Sequence, residues 1–443
     1  MADASREGDG AGKKKSGINA YATLLTRPSY LAGAILLAYT LHKHSPSTPL
    51  VILYTPETMN EESIKALEEE ANAPQSNTIL YPVDHLRLPE GEGEDGMVAE
   101  RFIDTWTKLR VFEVLEVDVQ IKGEKRGNTE RKKLDRLCFL DADMMIFSDP
   151  SPLVFTDEND AYLTGGGRDT HRLCATHICV CNLDKDSWAP KNWTPENCAY
   201  THLTSPSQLA QVKDSPDTMG AFNSGTFLFH PSPSIRDYIF TTFTTTPAAE
   251  LKKLKFPDQD FLNNAFIHNW SPLSWKTNAL KTWRYWHPNI WRDSSVCVLH
   301  YIVDKPWAAR VRTNEKGEKV AGYRGDDGET HSWWWTLYDE WYMLRENWGQ
   351  ERLLDTVEKY VASETGGDSA EMRAIGGGAQ DYAKKWQGKE DGGKDGDASG
   401  KNDGREEEEG QEGAGGPVLR KKMLGERGHG PVIRAKGTSM MDP

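Results

Sequence analysis

The 443-residue sequence predicts an α/β domain with a mostly parallel, mixed sheet of Rossmann type. Three observations lead there. Short β-branched runs alternate with helical stretches through the first 140 residues. One such run ends directly in Asp141-Ala142-Asp143. Beyond residue 362 the chain turns to Gly, Lys, Glu and Asp. A strand–helix–strand alternation produces parallel strands joined by helical crossovers.

Residues 1–17 are polar and Gly-rich and read as a disordered leader. Lys13-Lys14-Lys15 is followed by no apolar run adequate for a secretory signal. Residues 19–25 form the first strand, which ends at the turn Thr26-Arg27-Pro28-Ser29. Ser29 is placed to cap a helix over residues 30–42. The apolar stretch 31–41 inside it is too short to span a bilayer and is expected to be buried. Residues 49–54 read as a buried strand, 57–72 as a charged helix, 78–82 as a short strand and 101–117 as a further helix. A charged insertion over 122–133 precedes the strand 137–140. In the second half, 221–230 and 296–302 read as strands and 234–243 and 259–268 as helices. An aromatic helix over 332–347 is expected to pack back on the core. The folded domain therefore spans residues 18–362. Residues 363–443 form a tail with too few apolar side chains to offset chain entropy, which leaves it disordered.

Charge narrows the function. Sixty-seven acidic against 53 basic residues give a net charge of −14. That balance argues against nucleic-acid binding, which needs a basic face. Four consecutive Glu at 406–409 supply part of the excess, so the folded part is closer to neutral. With no signal and no membrane span, the expected compartment is the cytosol, with all six cysteines reduced. Cys174, His177, Cys179 and Cys181, with the later Cys198 and His202, have ligand types suited to zinc. Their spacing fits no standard module, however, and reduced cysteine is commonly a small buried hydrophobe.

Asp141 and Asp143 sit at the C-terminal end of a buried strand, the edge at which open α/β sheets bind ligands. Two carboxylates one residue apart can both reach one divalent ion, and hard oxygen ligands suit Mg2+ or Mn2+ bridging a diphosphate. A solvated strand exit accounts for most Asp-x-Asp triplets, so the triplet alone decides little.

Its neighbours decide more. Asp141-Ala142-Asp143-Met144-Met145-Ile146 resembles the metal motif of glycosyltransferase family 8. Further segments resemble that family in the right order: Ala20 through Thr26 with Tyr30 and Gly33-Ala34, then Thr107-Lys108-Leu109, Phe222-Asn223-Ser224-Gly225, Asp258-Gln259-Asp260-Phe261-Leu262-Asn263, and finally His300-Tyr301 with Lys305-Pro306-Trp307. The resemblance spans about residues 19–310. It implies a GT-A type nucleotide-diphospho-sugar transferase fold and transfer of a hexose from a UDP-sugar with retention at the anomeric carbon.

The resemblance also implies roles. Asp141, Asp143 and His300 ligate Mn2+ (or Mg2+), and Lys305 pairs with the diphosphate. Leu24, Thr26, Tyr30 and Ala142 hold the donor, with Lys108 and Arg101 adding charge. Asn223, Ser224 and Gly225 lie beneath the donor sugar, with Gly225 permitting close approach. Asp258 and Gln259 contact its hydroxyls. Retention needs a covalent intermediate or same-face attack. Same-face attack with Asp258 as stabiliser is the expectation, and Asp258 is also placed to cap the helix it begins. The family usually has one more residue between His and Lys than this chain has between His300 and Lys305, so that loop must be tighter. The implied partners are a UDP-hexose and a separate polyol or glycan acceptor. A homodimer and protein partners for the tail stay open. Two alternatives remain: self-glucosylation, for which Tyr285 lies at the family distance after Asn278, and a catalytically silent UDP-sugar-binding scaffold. The bulky, basic surroundings of Tyr285 disfavour the first, and the complete set of metal and diphosphate residues disfavours the second.

Overall fold

A computed structural model of the chain describes residues 17–88, 104–121, 127–165, 171–186, 189–211, 220–322 and 324–363. All of them fall in one compact unit. The leader and tail expectations, and Arg101, lie outside the described residues.

The first half follows the predicted alternation: β1 (Ile18–Leu25), α1 (Leu31–His44), β2 (Leu50–Tyr54), α2 (Glu61–Ala71) and β3 (Thr78–Pro82). β1 pairs in parallel with β2, and β2 with β3. Two starting signals differ from expectation. Pro28–Tyr30 forms a short 3-10 turn and Ser29 caps nothing. The charged helix starts four residues late, at Glu61, and is capped by Asn60, whose side chain accepts a hydrogen bond from the Ser63 N–H.

The expected helix over 101–117 is, where described, a 3-10 run from Thr105 to Glu113. Where described, the expected charged insertion leads into the start of β5 (Thr129–Leu140), which pairs antiparallel with β4 (Glu116–Gln120). Four consecutive charged residues, Glu130 to Lys133, fit there because both faces of this stretch are largely exposed. β5 then enters the core beside β1, in parallel. β6 (Met144–Ile146) follows directly.

Further strands are β7 (Leu173–His177), β8 (Phe222–Phe229), β9 (Trp270–Pro272), β10 (Ala279–Leu280) and β11 (Val298–His300), and a separate antiparallel pair is formed by Arg312–Thr313 and Lys319–Val320. The large sheet runs β3-β2-β1-β5-β8-β7-β9, with β8 antiparallel to both neighbours. A small sheet, β10-β11-β6, stands at its edge.

Side chains alternate strictly across the large sheet. Tyr21, Leu25, Leu50, Ile52, Cys138 and Leu140 join one buried layer with α1. Ala20, Ala22, Val51, Leu53, Leu137 and Phe139 join the other, with Trp106, Leu109 and Phe112. Both faces are covered, which is why these strands read as continuous apolar runs. Helices α3 (Pro233–Thr245) and α4 (Pro257–Ala265) serve the second layer. The aromatic α5 (Gly328–Asn347) and α6 (Glu351–Glu358) cover the first.

Buried charge fastens α5 to α2. Glu70 accepts from Arg345 Nε at 2.9 Å and Nη2 at 2.6 Å, and from the Trp341 indole N–H at 3.0 Å. At its end the domain folds back: Ala362 N–H donates to the Trp307 carbonyl at 2.8 Å, and Arg310 Nε donates to the Ala362 carbonyl at 3.0 Å. Among the described residues no helix is long and apolar enough to cross a membrane.

Burial of α1 has a titration consequence. Desolvation holds the His42 imidazole at about 4, below its ordinary 6.5. Between those values the unfolded chain binds more protons than the folded one, so stability falls as pH drops from 6.5 towards 4. The loss at this group is roughly 3 kcal/mol. His42→Leu is expected to flatten the slope by about that amount, read as the difference between wild-type and variant urea unfolding at pH 7 and pH 4.5. Parallel curves would show that His42 does not carry it.

Candidate active site

The site gathers where strand ends meet. β1 and β5 run in parallel and stop at the same edge, delivering Leu24, Thr26 and Tyr30 from one and Asp141-Ala142-Asp143 from the other. β8 runs the opposite way, so its first residues, Asn223-Ser224-Gly225, reach that edge too. The Asp141 N–H donates to the Gly225 carbonyl at 2.9 Å, which ties the two motifs together. All of these line a cleft of about 300 Å3, with Lys108, Asp258 and Gln259.

The turn at 141–143 leads straight into β6, and β11 pairs antiparallel with β6, setting His300 opposite Met144. The Tyr301 N–H donates to the Asp143 carbonyl at 2.9 Å. His300 Nε2 therefore lies 3.2 Å from Asp143 Oδ1 and 3.9 Å from Asp141 Oδ2. The three ligand atoms lie within 4.8 Å of one another.

Which ring nitrogen of His300 carries a proton follows from a chain of hydrogen bonds. The Gly225 N–H donates to Asn223 Oδ1 at 3.0 Å, so that atom is an acceptor. Asn278 must then present its NH2 group to it, at 2.9 Å, and also donates to Thr176 Oγ1. This leaves Asn278 Oδ1 to accept from His300 Nδ1 at 2.8 Å. In the neutral ring, Nε2 is then a lone pair aimed at two carboxylates. Such an arrangement calls for a cation between them, and two carboxylates with one imidazole suit a divalent metal. Asn278 was not singled out in the sequence as a site residue. It orients the histidine and is itself buried.

Gly225 owes its identity to the same ring. A Cβ there would lie 2.6 Å from His300 Cε1 and 2.8 Å from Asn223 Oδ1. Gly225→Ala is expected to displace the imidazole and weaken any divalent-metal binding about 10–100-fold, as loss of orienting contacts does elsewhere, measured by calorimetric titration. Unchanged affinity would show that His300 tolerates the shift.

Two buried lysines balance the acids. Lys108 Nζ is 2.9 Å from Asp141 Oδ1 and 2.6 Å from Asp258 Oδ2. Burial alone would lower the Lys108 ammonium, but Asp141 and Asp258 outweigh it and hold it above its usual range. Lys305 pairs with Asp143 Oδ2 and donates to the Tyr301 carbonyl at 2.9 Å. Burial pushes the Asp143 carboxyl up, yet Lys305 and His300 prevail and hold it well below the ordinary range. Asp141 goes the other way, raised by burial against the pull of Lys108. The short loop before Lys305 closes through Val303, whose φ of +65° is rare for a β-branched residue. The tightness expected from the missing residue is thus taken up as left-handed backbone.

Asp258 caps nothing: Phe256 holds the cap position of α4 and Asp258 lies in its first turn. Its Oδ2 accepts from Ser224 Oγ at 2.9 Å. Gln259 Oε1 accepts from Asn223 Nδ2 at 3.1 Å and the Ser224 N–H at 3.3 Å, so its amide nitrogen is the part left to a ligand. Arg27, Asp104, Thr105 and Phe256 also line the cleft and were not expected there.

The cysteine set is redrawn. Cys174 lies in the core, His177 packs edge-on against Trp270 at 4.8 Å, and His202 Nε2 faces the Glu196 carbonyl. Cys179, Cys181 and Cys198 instead gather around His287.

Comparison with known proteins agrees with the motifs. The glycosyl transferase family 8 model matches residues 129–310. Galactinol synthase 7 of Arabidopsis thaliana is 25% identical over 336 residues, 74% of this chain and 84% of that protein. Galactinol synthase 2 of Solanum lycopersicum is 25% identical over 338 residues, 75% and 83% of the two chains. Among solved structures, the galactosyltransferase LgtC with donor and acceptor sugar analogues is similar over 72% of this chain and 95% of its own, at 16% identity and a TM-score of 0.42.

Proposed function

Because the chain belongs to glycosyltransferase family 8, we propose that it moves a hexose from a UDP-sugar to a separate polyol or glycan, retaining the anomeric configuration. Mn2+, or Mg2+ in its place, would be held by Asp141, Asp143 and His300. The observation that carries this reading is the fixed His300 ring, which turns Nε2 toward both carboxylates. When bound, such an ion neutralises charge that grows on the departing diphosphate.

The chain's own groups supply the rest. Lys305 and Lys108 lie at the same edge, held by acids until a diphosphate takes them up. Asp258 shares one oxygen between Lys108 and Ser224, which favours a fixed stabiliser beside the sugar over a free nucleophile and so supports same-face attack. Gln259 offers its NH2 group to a sugar hydroxyl. The names of the relatives favour galactose as the hexose and inositol as the polyol to try first.

The test is UDP release from UDP-glucose, UDP-galactose and UDP-N-acetylglucosamine, with Mn2+, with and without inositol. Release that needs both metal and acceptor is expected. Tight UDP-sugar binding with no release under any pairing would favour the silent scaffold. Tyr285, about a third exposed, packs edge-on against Trp286 and does not line the donor cleft. Intact mass after incubation with UDP-glucose and Mn2+ should therefore stay unchanged. A ladder of hexose additions that vanishes in Tyr285→Phe would establish self-glucosylation instead.

A further inference from the structure

We propose that Cys179, Cys181, Cys198 and His287 form a structural zinc site, separate from the donor cleft. Cys179 and Cys181 follow β7 directly. Cys198 ends the 3-10 turn Pro195–Asn197, and His287 ends the helical turn Trp283–Trp286 that follows β10. None of the four lines the donor cleft.

The geometry points to a metal. His287 Nε2 lies 3.3 Å from Cys179 Sγ, 3.5 Å from Cys181 Sγ and 3.7 Å from Cys198 Sγ, and the Cys179 and Cys198 sulfurs are 3.9 Å apart. All four ligand atoms lie within 4.8 Å of one another. A tetrahedron built on ordinary Zn–S and Zn–N bond lengths has S–S edges of about 3.8 Å and S–N edges of about 3.5 Å. Every edge given above falls within a few tenths of an ångström of these values.

Hydrogen bonding alone explains the cluster poorly. One imidazole nitrogen accepts or donates a single proton, yet three sulfurs converge on it. All four side chains are buried, so the coordination shell is closed, as in a zinc site that serves folding and not chemistry. Thr201 Oγ1 sits 3.5 Å from Cys181 Sγ and supports that thiolate from outside.

The position explains what such an ion would do. Between β7 and β8 the described chain has only the 3-10 turn as regular structure, with Asn182 and Lys185 at positive φ. Three of the four ligands lie in this irregular excursion, and His287 brings the fourth from the body of the domain. Zinc would pin the excursion down. Part of it, Ile178, Pro190 and Trp193, lines a second cavity of about 410 Å3 that shares Phe256 and Gln259 with the donor cleft. Trp193 stacks on Phe256 at 5.9 Å. If the proposed transferase reading holds, this cavity is the acceptor's place and the zinc fixes its wall.

The test uses the full chain. Inductively coupled plasma mass spectrometry should find one zinc per chain that survives dialysis against EDTA and leaves when a mercurial titrates the thiols. Exchange for Co2+ should give the intense visible bands and thiolate charge transfer of a tetrahedral site. Asp143→Asn must keep its zinc, since it alters only the cleft, whereas Cys198→Ser and His287→Ala should lose at least nine-tenths of theirs. Should those variants fail to fold, the wild-type cobalt spectrum decides alone. Folded wild type without zinc after growth in zinc-supplied medium, a Cys179–Cys198 disulfide, or zinc that disappears with Asp143→Asn would each overturn the site. Zinc retained by wild type, with acceptor KM unmoved in Cys181→Ser, would overturn only the wall assignment.

Discussion

Asp143→Ala should lower kcat/KM about a thousandfold or more while the protein stays folded. The residue holds two things at once: Oδ1 faces His300 Nε2 at 3.2 Å, and Oδ2 takes Lys305. Its removal would take away one of the proposed metal ligands and let the lysine drift from where a diphosphate would sit. An ion that stabilises developing charge contributes several kcal/mol to the barrier, and each 1.4 kcal/mol or so is tenfold in rate, hence the size of the effect. The fold should tolerate the change because Lys305 keeps the Tyr301 carbonyl. Steady-state turnover with saturating Mn2+, beside a melting curve, is the measurement. Turnover within tenfold of wild type, or full wild-type turnover in excess chelator, would sink the metal-dependent mechanism.

Glu70→Ala should be the most destabilising change away from the site, by about 3–5 kcal/mol. Glu70 and Arg345 are each about 2% exposed, and the carboxylate takes the Nε and Nη2 edge of the guanidinium and the Trp341 indole. Taking the acid away leaves a guanidinium in the core whose Nη1 already has no hydrogen-bond partner among the described residues. Urea unfolding would read the loss. The double variant Glu70→Leu with Arg345→Met should recover most of it, because neither charge is then stranded. A double variant as unstable as the single one would show that packing between α2 and α5, and not the charge, was lost.

Much of this was legible in the sequence, for physical reasons that can be named. The strands over 18–25 and 50–54 are covered on both faces, so they read as plain apolar runs, and the half-buried edge strand 78–82 still carries Ile79, Leu80 and Tyr81 in succession. The β4–β5 pairing was not legible, because the start of β5 is largely solvated on both faces and its Glu, Arg and Lys mimic a loop, while β4 buries only Val117. The 3-10 run was misread as a helix although Trp106, Leu109 and Phe112 recur at intervals of three, the period of the tighter turn. In the site, motif order brought forward each residue expected to touch donor or metal, and all but Arg101 fall among the described residues. Asn278 stayed hidden because its work is to orient His300 through a network that closes only in three dimensions. His287 stayed hidden because 89 residues separate it from Cys198.

The hydrogen bonds that return Ala362 to Trp307 and Arg310 set a practical limit on trimming the chain. Trp307 is two residues after Lys305, and its indole N–H donates to the Ser29 carbonyl beneath the donor cleft. A C-terminal truncation just past residue 363 keeps that latch, and such a shortened enzyme should retain its melting temperature and turnover. One that stops a few residues earlier opens the latch while α5 and most of α6 remain in place. Its first symptom should be a lysine that no longer finds its target, seen as a higher KM for donor, ahead of any fall in expression yield or solubility.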